Sequence, residues 1–139
     1  MKDSEFLMKI AITGGTGFLG RYVVESLKEF SYQPIVITRK SIDYNEVNCE
    51  YRVTDYREEN LTKILTDINA VVHLAAKRGS QGKILEFHDN EVLTQNLYEA
   101  FYKVGITNIV YASTISVYSD TNLLPWTEKQ IPLPMLMYG

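Results

Sequence analysis

Residues 8–20, MKIAITGGTGFLG, constrain this chain more than any other stretch. An apolar run, Ile10 to Ile12, feeds a turn carrying glycines at 14, 15, 17 and 20. Beyond it Leu19, Val23, Leu27 and Phe30 recur at helical spacing. Gly14 lets the chain reverse within a few residues, because glycine reaches φ values that side chains forbid. Gly17 holds no side chain between backbone and ligand, and Gly20 lets the following helix lie close on the strand. The N–H groups opening that helix, here around Phe18 and Leu19, are unpaired and carry a partial positive charge. An ordinary tight turn needs neither the strand before it nor the helix after it. Strand, glycine turn and helix in this order form a dinucleotide-binding fingerprint.

The rest of the chain alternates in the same way. Pro34–Thr38 reads as a second strand, Glu50–Val53 as a short third, and Leu61, Ile64, Leu65 and Ile68 as one helix face. Ala70–Ala75 is a continuous apolar run of the kind buried in a parallel sheet. Leu93, Leu97, Ala100 and Val104 mark a further helix, which Gly105 stops, and Ile109–Ala112 reads as a fifth strand. The last twenty residues, with Pro125, Pro132 and Pro134, read as an extended loop. Alternating strands and helices predict an α/β fold with a doubly wound parallel sheet, a Rossmann fold, whose ligands bind beyond the carboxyl ends of the strands.

A length of 139 residues with 45% hydrophobic side chains fits one domain, residues 8–139, preceded by a charged extension over residues 1–7. A net charge of −3 without a basic block gives no electrostatic case for nucleic acid or an anionic membrane. No apolar run approaches the ~18 residues of a membrane span. The lone Cys49 excludes an internal disulfide, fits a reducing cytoplasm and reads as packing. No metal is expected.

Five motifs in register resemble the extended short-chain dehydrogenase/reductases of the NAD-dependent epimerase/dehydratase family, the nucleotide-sugar epimerases and dehydratases. They are Thr13-Gly14-Gly15-Thr16-Gly17-Phe18-Leu19-Gly20, Val72-His73-Leu74-Ala75-Ala76, and Asn90, Thr94, Asn96 and Leu97 of an N-x-x-G-T-x-N-L pattern. Leu93 replaces the glycine of that third motif. The fourth is Tyr111-Ala112-Ser113-Thr114-Ile115-Ser116-Val117-Tyr118. The fifth runs from Pro125-x-Thr127-Glu128 through Pro132-x-Pro134 to Tyr138-Gly139. The resemblance implies a nucleotide-sugar substrate, an NAD(P) cofactor and a possible homodimer. Family members are roughly twice as long, with a catalytic lysine four residues after the tyrosine. The chain is therefore expected to be the N-terminal part of a longer enzyme, inactive alone and without its substrate lobe.

NAD-preferring members carry an acidic residue at the end of strand two. The family spacing places Thr38 there, followed by Arg39 and Lys40, so NADP is expected over NAD. The resemblance places Asp55 and Tyr56 at the adenine, although Asp55 equally suits capping the next helix. Leu74, Ala75, Ala76, Lys77, Asn90 and Ser113 are the remaining expected cofactor contacts. His73, inside an apolar strand, is read as structural. Tyr138 matches the family's general base and Thr114 its catalytic Ser/Thr. A free phenol ionises near pH ~10, so activity at neutrality requires about 4 kcal/mol of phenolate stabilisation.

Family dehydratases follow their threonine with Asp-Glu; here Ile115 and Ser116 stand instead, which disfavours dehydration. The expected reaction is epimerisation at C4 of a UDP- or dTDP-sugar through a transient 4-keto intermediate. The alternatives are an NADPH-dependent keto-sugar reductase and a non-catalytic NAD(P)-binding sensor.

Overall fold

A computed structural model describes residues 8–43, 49–77, 84–119 and 121–135. Its elements, in chain order, are β1 (Lys9–Thr13), α1 (Phe18–Glu29), β2 (Gln33–Thr38), β3 (Glu50–Val53), α2 (Glu58–Ile64), β4 (Ala70–His73), α3 (Ile84–Val104) and β5 (Asn108–Tyr111). Short 3-10 turns follow at Ile115–Val117 and Thr121–Leu123. The strands form one parallel sheet in the order β3-β2-β1-β4-β5. The order reverses at β1, the first strand laid down, so a topological switch point lies between β1 and β4.

The chain divides into two compact units, Met1–Ala75 with Leu93–Ala112, and Ala76–Val92 with Ser113–Gly139. The first holds the whole sheet and two apolar clusters. One gathers Ala11, Ile35, Ile37 and Val71 from the sheet with Leu61 of α2, Leu65 at its C-cap, and Leu93, Leu97, Ala100 and Phe101 of α3. The other packs Val24 of α1 on Ile12, Val36 and Cys49, which is buried as expected. Leu93 is 7% exposed, so the residue standing where the family has glycine fills this core.

The buried stripe of α1 differs from the expected one. Gly20 and Val24 are buried with Val23 and Leu27 beside them, while Leu19 and Phe30 are exposed at 54% and 73%. Gly20 makes the closest approach to the turn, and that contact sets the helix rotation. The helix stops without glycine. Ser31 takes φ 61°, and Tyr32 N–H donates to the Leu27 carbonyl at 2.9 Å, the bond pattern of a left-handed helix end. Gly105 ends α3 with the same geometry, at φ 79° with Ile106 N–H on the Phe101 carbonyl.

Strand β4 ends at His73, two residues short of the apolar run that suggested it. The ladder gives out there because the Leu74 amide is shared between the Thr13 carbonyl and hydroxyl, at 3.2 Å to each, and the Ala75 amide turns to the hydroxyl at 3.1 Å. Among the described residues no helix is long and apolar enough to cross a membrane.

Candidate nucleotide-binding site

All five strands are parallel, so β1, β2, β3 and β4 end on the same edge of the sheet. Thr13 pairs with Ile37 on one side and His73 on the other, and Thr38 pairs with Val53. The glycine turn, residues 38–40, residues 55–56 and residues 74–75 therefore all leave one edge within the first unit. That gathers Gly14, Gly17, Phe18, Leu19, Gly20, Thr38, Arg39, Lys40, Asp55, Tyr56, Leu74 and Ala75.

The turn is tight, with glycine at three of its four positions, 14, 15 and 17. Gly14 sits at φ 73°, and its carbonyl accepts the Gly17 N–H at 3.0 Å. A Cβ on Gly14 would lie 2.9 Å from the Ala75 nitrogen; one on Gly20 would lie 2.1 Å from the Gly14 carbonyl oxygen. Gly17 caps α1 with extended backbone and no side-chain hydrogen bond, so the opening amides of the helix have no side chain laid across them. This bare helix N-terminus suits a pyrophosphate, which takes hydrogen bonds from backbone amides and is drawn to the helix dipole.

The ends of β2 and β3 are more committed to the fold than the sequence implied. Thr38 Oγ1 donates to the Lys40 carbonyl and accepts from the Lys40 N–H, closing its own turn. Asp55 Oδ1 accepts from Asn60 Nδ2 and the Arg57 N–H, both at 3.0 Å, and its other oxygen is 3.4 Å from Arg57 Nε. These bonds, Asn60 foremost, hold the Asp55 carboxyl below the usual carboxylate range. Asp55 thus closes a turn ahead of α2 and does not cap the helix, whose N-cap is Arg57 without a side-chain cap hydrogen bond. Tyr56 is buried at φ 62°; its hydroxyl donates to the Ile37 carbonyl at 3.0 Å, and burial pushes its pKa up to about 12. Its ring belongs to the core, and its backbone is engaged as well, the N–H donating to Thr54 Oγ1 at 3.2 Å. Arg39 lies exposed with its guanidinium 5.6 Å from the Tyr56 ring centre. A cavity of about 440 Å3 opens beside Arg39 and Asp55, lined also by Val53, Thr54, Asn60, Lys63 and Ile64.

The second unit carries Ala76, Lys77, Asn90, Ser113 and Thr114. Asn90 clamps the backbone of Lys77, accepting its N–H at 2.8 Å and donating to its carbonyl at 3.0 Å. Both ends of that amide are therefore used in shaping the loop. Ser113 is exposed, and Thr114 begins the 3-10 turn, its oxygen accepting the Ser116 N–H at 3.1 Å. The Thr114 hydroxyl hydrogen is left to donate. Tyr138 lies outside the described residues.

Sequence reasoning missed a buried polar chain. Thr13, Thr54 and His73 are the buried polar side chains of the first unit's core among the described residues. His73 Nδ1 is 2.6 Å from Thr13 Oγ1, and Nε2 is 3.1 Å from Thr94 Oγ1. Burial lowers the His73 pKa to about 4, so the ring is neutral. Thr13 and Thr94 both stand in the quoted motifs, yet a threonine at a strand end or in a helix looks ordinary until its partner is placed. Asn96, also in a motif, donates to the Tyr56 carbonyl at 2.9 Å and holds the left-handed residue in place. Among the described residues no group of three or more His, Cys, Asp or Glu side chains is arranged to hold a metal.

Comparison with known proteins decides the family. Residues 10–139 match the NAD dependent epimerase/dehydratase family. The chain belongs to it. A UDP-N-acetylglucosamine 4-epimerase from Bacillus cereus is 64% identical, with a TM-score of 0.86 over 95% of this chain and 48% of that one. A UDP-glucuronic acid 4-epimerase from the same organism, solved in complex with NAD, is 27% identical with a TM-score of 0.80, covering 95% of this chain and 48% of that one. The UDP-glucose 4-epimerase of Corynebacterium glutamicum is 30% identical across 95% of this chain and 43% of its own length. The chain thus spans somewhat under half the length of these family members.

Proposed function

We propose that this chain is the cofactor-binding part of an NAD(P)-dependent UDP-sugar 4-epimerase. The observation that carries the reading is the glycine turn between β1 and α1, where a Cβ on Gly14 or Gly20 would meet backbone, with α1 opening on it. The 4-epimerase relatives, one 64% identical over nearly the whole chain, support a UDP-sugar as substrate. Gly14, Gly17 and the first amides of α1 would hold the pyrophosphate. The backbone of Leu74 and Ala75 would lie along the cofactor, with Ala76, Lys77, Asn90 and Ser113 continuing the contact. A bound nicotinamide would supply the hydride exchange at the sugar carbon that inversion requires.

The chain's own residues handle the proton. Tyr138, as phenolate, takes the proton of the sugar 4-hydroxyl while the carbon loses hydride, and gives it back when the 4-keto group is reduced. Thr114 donates a hydrogen bond to the same oxygen, steadying it as its bonding changes. Ile115 and Ser116 offer no acid–base pair, which argues against elimination of water. A lysine four residues beyond Tyr138 would complete the phenolate's stabilisation.

At the end of β2 no carboxylate opposes a 2′-phosphate, and Arg39 stands exposed beside Lys40. This favours NADP over NAD, while the NAD complex of the UDP-glucuronic acid epimerase favours the simpler dinucleotide. The alternative of a keto-sugar reductase rests on the same strand end. Incubation of a full-length enzyme carrying this chain with UDP-glucose, UDP-N-acetylglucosamine and their C4 epimers, followed by NMR, tests the reading. Interconversion without net cofactor consumption is expected. One NADPH consumed per product establishes the reductase, and binding without turnover establishes a sensor.

A further inference from the structure

The chain of hydrogen bonds through His73 has a determinate direction. A threonine hydroxyl has one hydrogen and two lone pairs. At Thr13 Oγ1 the Ala75 N–H donates at 3.1 Å, and the Leu74 N–H is shared between that oxygen and the Thr13 carbonyl, at 3.2 Å to each, so amide hydrogens face the lone-pair side of the hydroxyl. The hydroxyl hydrogen is thereby directed to His73 Nδ1, 2.6 Å away. A nitrogen that accepts carries no proton, so the neutral ring holds its hydrogen on Nε2, which donates to Thr94 Oγ1 at 3.1 Å. Helix α3, strand β4, strand β1 and the loop after β4 are thus linked in one ordered series. Gly14, next to Thr13, packs directly on the loop so held, since a Cβ there would meet the Ala75 nitrogen at 2.9 Å. Tyr111 on β5 lies over the imidazole, ring centres 5.3 Å apart, and closes the site.

We propose that His73 is a positioning residue for the dinucleotide: by orienting the Thr13 hydroxyl it fixes the Leu74–Ala75 backbone against the glycine turn. The proposal rests on the reading of that turn as the cofactor's cradle. His73 touches no ligand itself. Its contribution is the spacing of two backbone segments that the cofactor meets, and any group that accepts from Thr13 at the Nδ1 position performs it.

The tests compare His73→Phe, which fills the space without an acceptor, with His73→Asn, whose side-chain oxygen reaches the Nδ1 position. Dissociation constants for NAD and NADP, amide hydrogen exchange at Leu74 and Ala75, and the imidazole nitrogen shifts of the unsubstituted protein are measured. His73→Phe is expected to bind the cofactor about tenfold more weakly per folded molecule, the effect of one lost hydrogen bond. The two amides should then lose protection, and His73→Asn should restore both. Thr13→Val, which removes the hydroxyl that accepts from both amides, should cost at least as much as His73→Phe, and adding His73→Phe to it should cost nothing further. The nitrogen shifts should report a bare Nδ1. An Nδ1–H tautomer overturns the proposal, and so does His73→Phe with unchanged affinity and unchanged exchange. If the unsubstituted protein binds neither cofactor, the cradle reading fails instead, and hydrogen exchange still decides whether His73 holds the loop.

Discussion

Replacing Gly20 with alanine sets a local gain against a packing loss, and the coordinates decide between them. Within a helix, alanine is favoured over glycine by about 1 kcal/mol. At position 20, however, the added methyl would sit 2.1 Å from the Gly14 carbonyl oxygen, 2.6 Å from the Gly15 Cα and 2.9 Å from the Gly14 carbonyl carbon. Ordinary contact begins near 3.4 Å, so α1 must retreat by about 1.3 Å. All three neighbours are backbone, and no side chain can swing away. Overpacking costs about 1–3 kcal/mol, and an unyielding wall places this case at the upper end. After the helix gain, about 2 kcal/mol of destabilisation remains, a fall of about 4–8 °C in Tm for a domain of this size or somewhat larger. The retreat also draws the opening amides of α1 away from the turn, so NAD(P) affinity should fall about tenfold or more. Calorimetry of unfolding and titration with each dinucleotide measure the two effects. Gly105→Ala is the control, because it meets no atom within 4 Å and carries only the strain of φ 79°. It should cost about 1–2 kcal/mol and leave affinity unchanged. A Gly20→Ala protein melting at or above the parent, with undiminished affinity, would refute the reasoning.

Arg39→Asp should weaken NADP far more than NAD, since it replaces a cation with an anion at the 2′-phosphate; equal changes in the two dissociation constants would remove the basis for the NADP preference. In a full-length enzyme Tyr138→Phe should keep cofactor affinity and lose ~10²–10⁴-fold in turnover, Thr114→Val should lose less, and Ser116→Ala should be nearly silent, all read from steady-state rates on UDP-sugars. Acid should destabilise the fold through His73, whose pKa burial lowers from 6.5 to about 4. The unfolded chain then binds the extra proton first, so this contribution is complete above pH 6.5 and declines by up to about 1.4 kcal/mol per pH unit as pH falls towards 4. Thermal melts between pH 7 and 4.5 should show a slope that His73→Phe flattens. Asp67, held well below the usual carboxylate range by Arg52 and Lys9, adds its own loss only at lower pH.

The strands and helices were legible because periodicity and punctuation are local. Glu50–Val53 matches the expected third strand, and the others shift by one or two residues. Errors arose where a contact from elsewhere intervened. Leu19 and Phe30 looked apolar enough to be buried on α1, but the close approach of Gly20 turned them outward. Leu74 and Ala75 looked like strand, but the Thr13 hydroxyl took the Ala75 amide and shares that of Leu74 with the Thr13 carbonyl. Phe101, 1% exposed in the main cluster, was absent from the expected helix face because that stripe is wider than the spacing chosen to find it.

The sequence by itself determined the glycine turn, the α/β alternation and the family, because each is written in residue type and spacing along the chain. Only the tertiary structure decided how the polar side chains are used. Asp55 is engaged by Asn60 and Arg57, Asn90 clamps Lys77, and the Tyr56 ring belongs to the core under Arg39. The proton of His73 was likewise invisible in the sequence, since Thr13 and Thr94 lie 60 and 21 residues away along the chain. Apolar residues reveal their burial through a repeating pattern. A hydrogen bond between distant residues has no period, and its direction exists only once the fold has brought donor and acceptor together.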